Sequence, residues 1–168
     1  MSEENMLQSI VDRQAISELI YRYCRAVDRI DRELGYSVWH DDGIADYGAY
    51  YQGSGRGVID LICANHEQLQ CHSHQVSNIL IQLDGDRASS EAYVTANLRI
   101  ARDGKIRQMS VWSRYIDSWS RRDGRWGIDK RIAIRDFDEI REVAPMSQAA
   151  EGSRDRNDPS YAVLKNFR

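Results

Sequence analysis

Two histidines and an amide recur at alternate positions in Cys71-His72-Ser73-His74-Gln75-Val76-Ser77-Asn78. The stretch runs on into Ile79-Leu80-Ile81-Gln82-Leu83 and stops at Asp84-Gly85. Read as a strand, it puts His72, His74, Val76, Asn78 and Leu80 on one face, and Ser73, Gln75, Ser77, Ile79, Ile81 and Leu83 on the other. A sheet holds a histidine at the start of a strand rigidly, which suits a general base. Such a base needs a partner to fix its tautomer. The best candidate is Asp28, which ends the upstream stretch Tyr21-Arg22-Tyr23-Cys24-Arg25-Ala26-Val27-Asp28. A carboxylate bonded to one imidazole nitrogen raises the basicity of the other and stabilises the imidazolium that forms. An aspartate near a helix C-terminus also opposes the helix dipole, a mild cost that favours a functional reason for it.

The same region invites a metal reading, because Cys63, His66, Cys71, His72 and His74 cluster in sequence. No third ligand group recurs on the later strands, so neither a metal nor another cofactor is expected. His72 reads as a helper or a solvent-facing residue, and His40 and His66 read as structural. Gly53-Ser54-Gly55-Arg56-Gly57 resembles a phosphate loop only superficially. No Gly-Lys-Ser/Thr follows it, so it reads as a plain turn.

The elements that must position these residues follow from periodicity. Ile16, Leu19/Ile20, Tyr23, Val27 and Ile30 keep a three/four spacing, which predicts an amphipathic helix from Ser9 to about Ile30, after a frayed start. Tyr36 to His40 suggests a short second helix, Ile44 to Gln52 a first strand, and Val58 to Leu69 a third helix. Asp103-Gly104 and Asp123-Gly124 are two-residue hairpin signals joining strands near 88–102, 106–121 and 125–137. With two-residue turns, Arg102 faces Lys105, Asn97 faces Ser110, Thr95 faces Trp112, Arg122 faces Arg125 and Trp112 faces Arg135. One face then carries Tyr93, Thr95, Asn97, Ser110, Trp112, Arg114, Ala133 and Arg135. Tyr115, Ile132 and Ile134 fall on the other, and a bulge would swap faces on one strand. The expected class is α+β, a curved, mostly antiparallel sheet packed against three N-terminal helices and wrapping a cone-shaped pocket. Residues 1–140 form the domain. Residues 141–168 are an irregular polar tail, with Tyr161, Val163, Leu164 and Phe167 available to pin it to the body or to a neighbouring subunit.

A helix ending in Tyr-x-x-x-x-Asp, a strand opening with His-x-x-x-Asn, paired strands with Trp-x-Ile and an arginine near the last strand's end resemble the SnoaL-like branch of the NTF2-like superfamily. Scytalone dehydratase, hexachlorocyclohexane dehydrochlorinase and bile-acid 7α-dehydratase belong to that branch. The resemblance covers roughly residues 8–140. It implies a cone-shaped fold, a cofactor-free lyase with a His74–Asp28 dyad, and a homo-oligomer, with a trimer favoured over a dimer. It also implies catalytic help from Tyr23 and a pocket role for Arg135. Asn97 stands where the bile-acid enzyme has an aspartate, which removes a charge. Asn97, Arg135, Trp112 and Tyr47 are the candidate substrate-binding residues. The expected reaction is loss of water, or of halide or formaldehyde, from a small hydroxylated cyclic or aromatic molecule. Other activities open to the fold are isomerisation or cyclisation. So are non-catalytic ligand binding or oligomer scaffolding, including the role of a ring-dioxygenase small subunit.

Bulk properties narrow the partners. A net charge of −3 leaves no basic footprint for nucleic acid. No apolar run approaches membrane length, and the acidic start (Met1-Ser2-Glu3-Glu4-Asn5) does not read as a signal peptide. The three cysteines, Cys24, Cys63 and Cys71, have no framework spacing and read as reduced thiols in a cytoplasmic protein.

Overall fold

The computed structural model describes residues 2–164, and Phe167 lies outside the described residues. Helix α1 spans Glu3–Arg29 and starts earlier than its periodicity predicts. The Ser2 hydroxyl accepts from Asn5 N at 3.3 Å, and Glu3 and Glu4 sit in the positive first turn. The start is therefore capped rather than frayed. Ile16, Ile20, Tyr23 and Val27 form the buried stripe. Buried Asp12 accepts from Arg121 Nη1 at 2.7 Å and from Trp126 Nε1 at 2.9 Å, which ties this helix to the sheet. The helix ends at Ile30, which has a left-handed φ of 53°.

Asp31 caps α2 (Arg32–Ser37), and β1 then covers Trp39–Asp46, so Trp39 and His40 lie in a strand rather than a helix. After β2 (Gln52–Ser54), the glycine-rich stretch proves to be the capped start of α3 (Gly55–Glu67). Ser54 Oγ accepts from Gly57 N at 3.1 Å. A Cβ on Gly55 would lie 2.2 Å from the Trp39 ring, so the missing side chain is a packing requirement and not a ligand cradle.

Strands β3 (Cys71–Asp84), β4 (Arg87–Arg102), β5 (Lys105–Arg122) and β6 (Arg125–Val143) form an antiparallel meander. The full sheet order is β2-β1-β6-β5-β4-β3, with β1 parallel to β6. This is the expected α+β architecture, with helices over one face of a six-stranded sheet. Both two-residue turns form, with Asp103, Gly104, Asp123 and Gly124 all at positive φ. The β4–β5 register matches the sequence arithmetic throughout, including Asn97 opposite Ser110 and Thr95 opposite Trp112.

Bulges correct the expected faces in two places. In β3 the ladder shifts between Ser77 and Leu80, with Asn78 at φ 50°. The extra residue turns Ile79, Ile81 and Leu83 to the helix-covered face with His72, His74 and Val76, and leaves Leu80 exposed. In β6 the register shifts between Ser118 and Trp119 and again between Trp112 and Ser113. Trp112 therefore faces Phe137 rather than Arg135, Ala133 joins Tyr115, and Ile132 and Ile134 move to the outer face. β6 continues to Val143, and a short helix, α4 (Pro159–Val163), interrupts the polar tail. Among the described residues no helix is long and apolar enough to cross a membrane.

Candidate active site

The last turn of α1 and the start of β3 meet side by side. Asp28 accepts from His74 Nδ1 at 2.7 Å, and its two oxygens accept from the His74 backbone N–H at 3.1 and 3.0 Å. A carboxylate gripped by both the main chain and the ring of one residue has little rotational freedom. With Asp28 at Nδ1, the neutral imidazole carries its proton there and presents a lone pair at Nε2. Among the described residues, nothing hydrogen-bonds that nitrogen. The two side chains retain 9% and 13% exposure, enough to meet a small molecule yet largely withdrawn from water. They line a cleft of about 300 Å³ with Tyr21, Cys24, Arg25, Arg29 and Val76.

Two further histidines support the helix end. His66 Nδ1 and His72 Nε2 both donate to the Val27 carbonyl, at 3.2 and 3.0 Å. That carbonyl is one of the acceptors a helix C-terminus leaves without an intrahelical partner. The His66 ring lies 4.2 Å from that of His72 and 5.4 Å from that of His74. His72 is thus buried rather than solvent-facing, and His66 holds up the site from behind. Burial, then repulsion from His72 and His74, pushes His66 down to about 4, and burial also lowers His72. His72 Nδ1 is buried without a hydrogen-bond partner, so a proton there would be unsatisfied.

A pH dependence of stability follows. Unfolded histidines bind protons below about 6.5, whereas folded His66 resists protonation until about 4. Stability is therefore complete above about pH 6.5 and declines as the pH falls towards 4, by about 3 kcal/mol for His66 at the limit. Urea unfolding at pH 7.5 and 4.5 measures this decline, and His66→Phe is expected to shrink it.

The structure does not gather all the sequence-predicted residues around the dyad. Tyr23 and Asp28 are separated by about 140° on an ideal helix. Tyr23 is fully buried in an aromatic layer behind the cleft, with its hydroxyl 2.6 Å from that of Tyr47. Burial pushes the Tyr23 hydroxyl well up, so it stays protonated. His74 pairs with Ala96, which sends neighbouring Asn97 to the opposite face, where it accepts from Ser110 Oγ at 2.7 Å. Trp112 shares that outer face and stacks on Phe137 at 4.7 Å. Arg135 is exposed and pairs with Asp138 at 3.2 Å. Asn97, Trp112 and Arg135 are thus absent from the cleft lining.

The buried cation is instead Arg131. Its Nε and Nη2 reach Asp117 at 2.7 Å each, and both side chains are fully buried. Its guanidinium lies 4.2 Å from the Tyr23 ring centre and 4.0 Å from that of Tyr115, and Nη1 is buried without a hydrogen-bond partner. Sequence arithmetic conceals this pair, because an unbulged β5–β6 hairpin puts Lys130 opposite Asp117. The bulge at Asp129 brings Arg131 there instead. Cys24 lies at the cleft, and burial raises its thiol to about 12, so it is no thiolate nucleophile. Among the described residues no group of three His, Cys, Asp or Glu side chains is placed to hold a metal ion.

Comparison with known proteins agrees with this architecture. No curated protein matches the chain. Among solved structures, a type 2 hexachlorocyclohexane dehydrochlorinase (LinA) superposes with a TM-score of 0.73 at 18% identity, covering 87% of this chain and 98% of that one. A protein described as a putative scytalone dehydratase from Novosphingobium aromaticivorans gives 0.69 at 20% identity, covering 84% and 97%. A singly substituted form of a Mycobacterium tuberculosis protein of unknown function, Rv3472, gives 0.64 at 20%, covering 96% and 89%. At these identities the likeness is one of fold. The model of the SnoaL-like domain matches residues 8–132, most of the chain, and this protein therefore belongs to the SnoaL-like family, within the NTF2-like superfamily.

Proposed function

We propose that this protein is a cofactor-independent lyase that eliminates water from a small hydroxylated cyclic or aromatic molecule. The observation that carries this reading is the 2.7 Å bond between His74 Nδ1 and Asp28, made inside a cleft that leaves Nε2 available. His74 Nε2 takes the proton from a carbon next to a carbonyl or comparable activating group. Asp28 stabilises the resulting imidazolium. The electron pair of the broken C–H bond forms the new double bond, and the leaving oxygen departs as water after receiving the proton from Nε2–H. Loss of halide would use the same proton abstraction. Tyr23, Tyr47 and Arg131 form a fixed polar layer behind the pair, and we assign it an electrostatic role rather than proton transfer.

A cleft of about 300 Å³ suits a small substrate, at the lower end of ligand sites. The reading also carries the expectation of a homo-oligomer, a trimer by family resemblance. Its interface would draw on the outer sheet face, where Tyr93, Ile132, Ile134 and Phe137 are exposed. The test is a panel of hydroxylated and halogenated cyclic compounds incubated with the protein and with a dyad-disabled chain. Product formation by the intact chain alone supports the lyase. Saturable binding of several compounds without any turnover would instead mark a non-catalytic ligand-binding module.

A further inference from the structure

The family match ends at residue 132, yet the tail beyond β6 returns to the site. Its contacts converge on the C-terminal end of α1, the turn that carries Asp28. Asp158 is buried and is held by four donors: Arg29 Nη1 at 2.9 Å, Ser153 N and Ser160 N at 3.1 Å each, and Ser160 Oγ. Arg29 Nη1 also donates to the Ser153 carbonyl at 2.5 Å. Tyr161 OH donates to Asp31 at 2.9 Å, and Arg154 Nη1 donates to the His66 carbonyl at 2.7 Å. The helix end is thus held from two sides. His66 and His72 hold the Val27 carbonyl, while the tail holds Arg29 and Asp31.

Such an end needs holding. A helix C-terminus leaves carbonyls without intrahelical partners, and α1 stops abruptly at a left-handed isoleucine. Asp28 adds a negative charge at the negative end of the dipole. A reacting pair tolerates only about 0.5 Å of displacement, so it depends on the groups that support it.

We propose that residues Ser153–Tyr161 are a clamp on the last turn of α1, and that Asp158 is a positioning residue for the His74–Asp28 pair, acting through Arg29. The proposal rests on the reading of that pair as the reacting groups, but its test needs no substrate. Nitrogen-15 imidazole spectra of the full chain report the tautomer of His74 and the exchange rate of its Nδ1 proton. Asp158→Asn keeps a helix-capping side chain at α4 but removes the charge facing Arg29. The triple variant Arg154→Ala/Asp158→Ala/Tyr161→Ala removes the clamp's main fixings together. The triple variant is expected to speed His74 Nδ1 proton exchange about tenfold and to mix the tautomers, with a smaller rise in Asp158→Asn. His40, bonded to the Ser120 carbonyl at 3.0 Å away from the clamp, serves as the internal reference and is expected not to change. An unchanged His74 signal in the triple variant would overturn the clamp. So would equal loosening of His74 and His40, which would report general destabilisation. A protein that eliminates nothing but shows the His74 response would refute the lyase while leaving the clamp intact.

Discussion

Asp28→Asn is expected to lower the rate of the proposed elimination about 10³- to 10⁴-fold with little change in fold. The size of the effect comes from the tautomer. In the intact chain Asp28 accepts both from His74 Nδ1 and from the His74 main-chain N–H. An asparagine has one acceptor oxygen and one donor nitrogen in the same shape. If its oxygen keeps the main-chain bond, its NH₂ faces the imidazole, and the ring answers by moving its proton to Nε2. That nitrogen can then no longer take a proton from substrate. An imidazolium would also form without a carboxylate beside it. His74→Ala is expected to cost a comparable factor, and the double variant little more, because the two groups act as one unit. Turnover numbers for the three variants, with thermal melts alongside, check this. A rate in Asp28→Asn within tenfold of the intact chain would sink the dyad reading.

Asp117→Ala is expected to be the most destabilising single change in the sheet, at about 3–5 kcal/mol. It leaves the Arg131 guanidinium fully buried, with its Nη1 already unpaired and its other nitrogens now deprived of partners. The ring faces of Tyr23 and Tyr115 and the neighbouring Tyr47 hydroxyl carry no full charge and would compensate only in part. Replacing both partners together, Asp117→Leu with Arg131→Met, is expected to recover most of the loss, because two apolar side chains of similar volume leave no charge in the core. Urea unfolding of the single and double variants measures the difference. The double variant is also expected to retain its fold but to react more slowly if the arginine contributes field to the cleft. That separates the stabilising part of the pair from the catalytic part.

Several features of the site were legible because they depend on local chemistry. Alternation in Cys71–Val76 aims His74 inward, and the three/four spacing in the first helix places Asp28 at its end. The Asp103-Gly104 turn sets the β4–β5 register without error, because no bulge follows its two-residue loop. The bulges were not legible. A bulge costs little locally, and the packing that favours it comes from partners on other strands. Asn78 and Asp129 are ordinary polar residues in sequence, yet one turns Ile79, Ile81 and Leu83 inward and the other brings Arg131 to Asp117. The tail was misleading for a related reason. Its composition matches irregular, solvated chain, but its polar side chains find fixed partners at the end of α1 and the cap of α2 that only the folded body assembles.

The residue types, their periodicity and their turn chemistry by themselves determined the first and third helices, the meander, and the places of Asp28 at a helix end and His74 at a strand start, because each follows from steric and hydrophobic rules acting within a few residues. The tertiary structure alone decided which cation is buried, that His66 and His72 support the helix end, and that the tail clamps it. Those outcomes depend on strand registers and long-range contacts, where a one-residue shift exchanges every side chain facing the site.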